Sequence, residues 1–169
     1  IFITGALGFV GRALAECYRA FGAEACGLDV RADSALNIVA GDVSKPEAWQ
    51  SAMDGCDLVI HTAAIVTNNV AREEAWRVNV LGARRVLDAA IRARAKRFLH
   101  ISSLAAMRFN VEDRADESAP VMPTGNPYVD TKIASEHVVL AAHAKGEIAC
   151  TIIRPADVYG PGSRPWTVI

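Results

Sequence analysis

The chain has 169 residues, enough for one domain-sized core and short for two. Its 18 Lys and Arg against 19 Asp and Glu leave a formal charge of −1, and 51% of the residues are apolar. That balance argues against a disordered or collagen-like chain, and against binding nucleic acid by neutralising phosphates, which needs clustered excess cations.

Short β-branched runs alternate with helical patterns, the mark of a parallel sheet covered by helices on both faces. Residues 1–4, 24–29, 37–40, 58–61, 98–102 and 148–154 read as six buried strands. Between the first two, Val10, Leu14, Tyr18 and Phe21 recur at helical spacing, with Gly22 as the stop. A second helix is expected to run unbroken over 73–95, where Trp76, Val80, Ala83, Leu87 and Ile91 form one face. Arg77, Arg84, Arg85, Arg92 and Arg94 fall largely on its other faces and read as a solvated surface. The connection over 104–125 has no apolar period and carries Glu112, Asp113, Asp116, Glu117, Pro120 and Pro123; a lid and a surface excursion are equal readings. Asn126 before Pro127 announces a third helix, running to about Lys145 and stopped by Gly146.

Cys17, Cys26, Cys56 and Cys150 form no C-x-x-C, and no signal peptide or apolar span is visible. A reducing cytoplasm is expected, with the thiols filling the core. His61, His100, His137 and His143 make no ligand set, so no metal is expected. The chain opens inside an apolar run without Met and closes at Trp166–Ile169 without a stop signal. It reads as one dinucleotide-binding domain, 1–169, cut from a longer protein whose substrate region lies elsewhere.

Gly5, Gly8 and Gly11 sit where the first strand passes into the first helix. Glycines there permit a sharp turn, close approach of backbone to a diphosphate, and close helix–strand packing. The phosphates would lie against the amides around Gly8, Phe9, Val10 and Gly11 at the positive end of the helix dipole. Asp29 stands 18 residues after Gly11 at the end of the second strand, where a carboxylate can accept both hydroxyls of an adenosine ribose and repels a 2′-phosphate. NAD is therefore expected ahead of NADP, with Arg12 and Arg31 as the counterarguments.

Tyr128 and Lys132 are four apart on the third helix and share a face. Ionising an ordinary tyrosine, of pKa near 10, costs about 4 kcal/mol at pH 7. An ammonium about 5 Å away returns about 3 kcal/mol at an effective dielectric near 20, so the pair can serve as an acid/base. Ser102 and Ser103 end the fifth strand, at the edge where ligands of doubly wound sheets bind, and a hydroxyl there can donate to a substrate oxygen. No phosphate-loop, zinc-protease or serine-hydrolase motif is present in the chain.

Thr4–Gly11 as T-G-x-x-G-x-x-G, His61-Thr62-Ala63-Ala64, Asn79-Val80-Leu81-Gly82, Ile101-Ser102-Ser103, Tyr128-x-x-x-Lys132 and Arg154-Pro155-Ala156-Asp157-Val158-Tyr159-Gly160-Pro161-Gly162 occur in order. This succession resembles the extended short-chain dehydrogenases/reductases, in their NAD-dependent epimerase/dehydratase branch. The resemblance spans almost the whole chain. It implies a Rossmann-type sheet in the order 3-2-1-4-5-6, with Tyr128 as acid/base, Lys132 on the nicotinamide ribose and Ser103 orienting the substrate oxygen. It further implies that Asp42 and Val43 meet the adenine, that Ala63, Ala64 and Ser102 pass close to the coenzyme, that Pro155 and Val158 lie near the nicotinamide, and that Asn79 supports the site. Read without the family, Asn79 is a polar residue inside a helix and His61 a satisfied core histidine.

Two departures bear on substrate. Met107-Arg108 stands where the family often has Tyr-Gly, and Leu104-Ala105 replaces the Asp-Glu pair of sugar-nucleotide 4,6-dehydratases, which disfavours water elimination. The leading expectation is an oxidoreductase or epimerase acting on a secondary alcohol, foremost a nucleotide sugar. A steroid- or flavonoid-like alcohol is the competitor, and a non-catalytic NAD-sensing module the reading from another class. No nucleic-acid or membrane partner is expected; a homodimer through the apolar faces around Trp76 and Val138 stands beside plain sheet packing.

Overall fold

A parallel strand buried on both faces has to be apolar at successive positions, because its side chains alternate between two helical layers. The computed structural model, which describes residues 1–67, 69–107 and 116–163, has six strands, buried at the centre of the sheet and partly exposed at its two edges. They are Phe2–Thr4 (β1), Cys26–Asp29 (β2), Ile38–Ala40 (β3), Leu58–His61 (β4), Arg97–Ile101 (β5) and Ala149–Ile153 (β6). All pairs are parallel and the order is β3-β2-β1-β4-β5-β6, as expected. The order reverses beside β1, so the crevice at the carboxyl ends of β1 and β4 is where this architecture admits a ligand.

Alternation splits the core in two. Ile3 and Ile60 pack with Ala15, Leu14 and Tyr18 of α1 (Phe9–Ala20), while Phe2, Val59 and Phe98 pack with Val86, Leu87 and Val139 from the helices of the other layer. Trp49 is sealed beside Phe2, and its indole N–H donates to the Asp42 carbonyl at 2.8 Å.

The expected single helix over 73–95 is three pieces. Arg72–Trp76 (α2) and Gly82–Arg92 (α3) flank a π-helical turn, Arg77–Leu81. The widened turn carries Asn79, whose amide is drawn inward to Ile65 and Thr131. At Gly82 a Cβ would stand 2.6 Å from Val43 Cγ2, so the bare backbone lets the end of the β3 loop press against the helix. Arg77 departs from the solvated reading, because Asp42 and Glu74 hold it. The thiols fill the core only in part: Cys17 is exposed, while Cys26, Cys56 and Cys150 are half-buried and pack against the core.

The third predicted helix is Pro127–Ala144 (α4), and the Asn126 Oδ1 accepts from the Tyr128 and Val129 amides as an N-cap. The long connection opens with a 3-10 turn, Leu104–Met107, that packs Ala106 near Val129 and Ile133 of α4. Arg108, Glu112 and Asp113 lie outside the described residues, as does the closing Trp166–Ile169.

The join between β1 and α1 is tight. Gly5 takes a φ of +69°, and a Cβ on it would lie 2.8 Å from Thr62 Oγ1 and 2.9 Å from Ala63 Cα. A Cβ on Gly11 would fall 2.2 Å from the Gly5 carbonyl oxygen. Gly11→Ala should therefore force α1 off the strand and cost about 1–3 kcal/mol. A lowered thermal midpoint with weakened NAD binding is expected, and an unchanged midpoint would contradict this packing.

His61 and His100 are paired across β4 and β5, with rings stacked 5.4 Å apart and both fully enclosed. Thr4 Oγ1 lies 2.7 Å from His61 Nδ1. The Ser135 hydroxyl donates to the Lys132 carbonyl, so at 2.9 Å it accepts from the His100 Nε2–H, which leaves His100 Nδ1 unprotonated. Burial pushes His61 down to about 3, with the Lys132 charge adding to it, and burial likewise drives His100 well below its ordinary value. Both rings stay neutral in the fold yet take protons when unfolded, so stability holds above about pH 6.5 and falls as acid carries the pH toward the folded values. Two such groups predict a loss of about 2–3 kcal/mol between about pH 7.5 and 5.5. Urea midpoints at these two pH values test it, and equal midpoints would exclude buried neutral histidines.

Candidate active site

Every candidate residue lies at or beyond the carboxyl edge of the sheet. The amides of Gly5 and Ala6 donate to the Leu28 carbonyl at 2.8 and 3.2 Å, so the glycine turn folds across the end of β2. Gly8 caps α1 with no side-chain acceptor, and the first turn holds no acidic residue. The amides that open a helix lack partners within it, so this uncapped turn offers N–H groups and positive dipole to an anion. Gly5, Gly8 and Gly11 keep this turn tight, since a Cβ on each would meet protein atoms at 2.8, 3.1 and 2.2 Å.

Asp29 has a second task beyond the one expected. Its Oδ2 accepts from the Leu7 amide at 2.9 Å and its Oδ1 from the Val30 amide at 2.8 Å, so it pins the glycine turn while half-exposed at the tip of β2. Each oxygen keeps a lone pair for a ribose hydroxyl.

Asp42 is more heavily committed. Its Oδ1 accepts from the Ser44 amide and hydroxyl at 2.9 and 2.8 Å, and its Oδ2 meets Arg77 Nη1 at 2.5 Å. Burial works to raise the Asp42 carboxyl, and the hydrogen bonds from Ser44 and Arg77 overcome it to leave it below its ordinary value. Arg77 also grips Glu74 through two hydrogen bonds, so its guanidinium stands at the expected adenine end of the crevice. Val43 is buried against Gly82, and Ala63, whose amide donates to Thr4 Oγ1 at 3.3 Å, continues with Ala64 past the tip of β4.

The remaining groups converge on α4. Tyr128, Lys132 and Glu136 follow one another at i+4 and therefore stand in one row. Lys132 is 4% exposed, and its ammonium donates to the Ile101 carbonyl at 2.9 Å, at the last residue of β5. The same nitrogen lies 6.0 Å from the centre of the half-buried Tyr128 ring. Burial pushes the Lys132 amine down to about 8 against the opposing pull of Glu136. Ser103 lies two residues beyond Ile101; its half-buried hydroxyl accepts from the Ala105 amide at 3.2 Å and keeps its proton available among the described residues. The Lys132 ammonium thus sits at the end of β5, with the Tyr128 ring 6.0 Å away and Ser103 two residues further along the chain.

Ser102 turns the other way. Its enclosed hydroxyl donates to Glu136 Oε1 at 2.5 Å, and Arg154 closes on the same carboxylate with two hydrogen bonds of 2.9 and 2.7 Å. The link fastens α4 to β5 and to the segment after β6, where the Pro155 carbonyl accepts from the Leu104 amide at 2.9 Å and Val158 lies exposed. The Glu136 hydrogen bonds push Arg154 above its ordinary value. Asn79, 2% exposed, accepts from the Ile65 amide at 2.8 Å and donates to the Ile65 carbonyl and to Thr131 Oγ1. Thr131 in turn donates to the Tyr128 carbonyl at 3.0 Å. Sequence reasoning missed Thr131, Ser135, Glu136 and Arg154. The available signal was the i+4 row continuing from Lys132 to Glu136, a charged residue on the face that has to be buried.

The model of the NAD dependent epimerase/dehydratase family matches residues 1–168. The sterol demethylase protein B of Methylococcus capsulatus is 32% identical, over 94% of this chain and 51% of that protein. The 3 beta-hydroxysteroid dehydrogenase/Delta 5→4-isomerase of Mycobacterium tuberculosis is 29% identical, over 97% of this chain and 48% of that protein. Among solved structures, the UDP-glucose 4-epimerase of Thermus thermophilus, in complex with NAD, superposes with a TM-score of 0.87 at 26% identity, over 97% of this chain and 57% of its own. The chain spans about half the length of the curated relatives it matches. With the uncapped glycine turn, Asp29 and the carboxyl-edge cluster in place, the residues fit NAD as coenzyme, and the chain belongs to the NAD-dependent epimerase/dehydratase family of extended short-chain dehydrogenases/reductases.

Proposed function

We propose that the protein oxidises a secondary alcohol or reduces the matching ketone, with Tyr128 as the acid/base, and that residues 1–169 serve as its dinucleotide-binding domain. The observation that carries this reading is the Lys132 ammonium, buried, tied to the Ile101 carbonyl and 6.0 Å from the Tyr128 ring. NAD, when bound, supplies the hydride exchange at the substrate carbon. The amides of Phe9, Val10 and Gly11 would hold its diphosphate above Gly8, whose own amide donates to the Gly5 carbonyl at 3.0 Å, with Asp29 on its adenosine ribose, Asp42 and Val43 at its adenine, and Lys132 on its nicotinamide ribose. Ala63, Ala64, Pro155 and Val158 would wall the nicotinamide end, with Asn79 positioning the helix; Ser102, expected beside the coenzyme, is instead enclosed and committed to Glu136.

Tyr128 takes the proton of the substrate hydroxyl during oxidation and returns it during reduction. Ser103 donates its free proton to the substrate oxygen, which holds the reacting carbon in place and stabilises the charge that grows on that oxygen. Epimerisation through a transient ketone uses the same groups, with no net NADH formed.

For the substrate we place a sterol- or steroid-like alcohol ahead of a nucleotide sugar. Two relatives at 29–32% identity carry sterol and steroid names, against 26% identity to the UDP-glucose epimerase. A second copy of the chain is the proposed macromolecular partner, through the shallow apolar groove of Trp76, Val80, Leu81 and Val138, where Trp76 and Leu81 are 39% and 41% exposed. Among the described residues no helix is long and apolar enough to cross a membrane.

Turnover of a 3β-hydroxysteroid and of UDP-glucose, followed as NADH formation and as sugar epimerisation, tests the substrate class. Activity on the sugar alone would put the nucleotide sugar first. Tyr128→Phe should lower turnover by about 10²- to 10⁴-fold with NAD affinity retained; unchanged turnover would remove Tyr128 from the chemistry. Sedimentation velocity should find a dimer that Trp76→Glu dissociates, and a monomeric parent protein would contradict the pairing.

A further inference from the structure

At the opposite edge of the sheet, remote from the glycine turn, two thiols meet. Cys26 opens β2, and Cys56 lies between the 3-10 turn Gln50–Met53 and β4. Their sulfurs are 3.7 Å apart. The Cys56 amide donates to the Met53 carbonyl at 3.1 Å and the Cys26 thiol points at the Ile1 carbonyl, so both side chains leave well-anchored backbone. Both residues are half-buried and line an open recess beside Arg19, Glu24 and Asn37. Neither takes part in the coenzyme site. A disulfide has sulfurs about 2.05 Å apart, so bonding asks for an approach of about 1.7 Å, within the reach of side-chain rotation.

We propose that Cys26 and Cys56 form a dithiol–disulfide couple, closed by exchange with a low-molecular-weight disulfide such as oxidised glutathione. The Cys56 thiolate attacks one glutathione sulfur, forming a mixed disulfide and expelling one glutathione thiolate, which takes up the proton Cys56 lost. Cys26 then attacks the Cys56 sulfur, forming the internal bond and expelling the second glutathione, which takes the Cys26 proton. The protein loses two electrons and two hydrogens, and one oxidised glutathione becomes two reduced molecules. Burial and the adjoining Cys56 sulfur push the Cys26 thiol up to about 11, which disfavours Cys26 as the opening nucleophile.

The product ties the start of β2 to the entrance of β4 and closes a loop spanning 30 positions. A cross-link of that length restricts the unfolded chain, so oxidation should raise the thermal midpoint by about 5 °C or more. Cys17 on α1 and Cys150 on β6 serve as internal controls.

The test is incubation of the protein with oxidised glutathione, alkylation of the remaining thiols, and peptide mapping. Expected are a Cys26–Cys56 cross-linked peptide, free Cys17 and Cys150, a raised midpoint, and full reversal by dithiothreitol. Cys26→Ser should instead accumulate glutathione on Cys56. Alkylation of all four thiols in the parent protein, a stable glutathione adduct on its Cys56, or a cross-link to Cys17 or Cys150 would each overturn the proposal. The mapping of the parent protein decides the matter even where the serine variant fails to fold.

Discussion

One buried ammonium organises the carboxyl edge of this sheet. Lys132 gives up most of its hydration and recovers a hydrogen bond to the Ile101 carbonyl, with Glu136 one helical turn further on. A charge so placed is costly unless its surroundings are polar and fixed. The surroundings are both. Glu136 is held by Ser102 and Arg154, Ser135 bridges His100 and the Lys132 carbonyl, and Thr131 is held by Asn79. The helix carrying Tyr128 is thereby tied to β5, to the chain after β6 and to the loop after β4. These are the elements that border the crevice.

This polar seam explains why α4 is an unusual surface helix. A helix lying on a sheet normally turns an apolar stripe inward. In α4, Thr131, Lys132, Ser135 and Glu136 are buried alongside Val129, Ile133, Val139 and Ala142. Apolar contacts supply adhesion while the polar row supplies registration. An apolar stripe alone would tolerate small rotations of the helix, whereas the hydrogen-bonded row tolerates few, and the acid/base role proposed for Tyr128 needs that precision.

The six strands and the boundaries of α1 and α4 were legible because they rest on local signals: apolar runs, the Asn126-Pro127 cap and the glycines at the end of β1; the strand order came only with the family resemblance. The π-helical turn was not, since the 3.6-residue period of Trp76, Val80 and Ala83 continues through it. What widens the turn is a tertiary demand, the reach of Asn79 toward Ile65 and Thr131. Tyr128 and Lys132 were legible as neighbours on one helix face, and Ser102 and Ser103 as hydroxyls at the end of β5; the choice of Ser103 between them came with the resemblance. The Glu136–Arg154–Ser102 link was not, because its members lie on three elements and each alone reads as surface charge or turn chemistry. Arg77 was misread for the same reason: its partner Asp42 stands 35 positions away.

The most direct measurement is a crystal structure of the protein with NAD bound. The expected result is the diphosphate over the amides of Phe9 to Gly11, the adenosine ribose on Asp29, and the nicotinamide ribose within hydrogen-bond distance of both Lys132 Nζ and Tyr128 Oη, with Lys132 still near the Ile101 carbonyl. A dinucleotide seated elsewhere on the sheet, or a Lys132 side chain swung out to solvent with the ribose unattended, would contradict it.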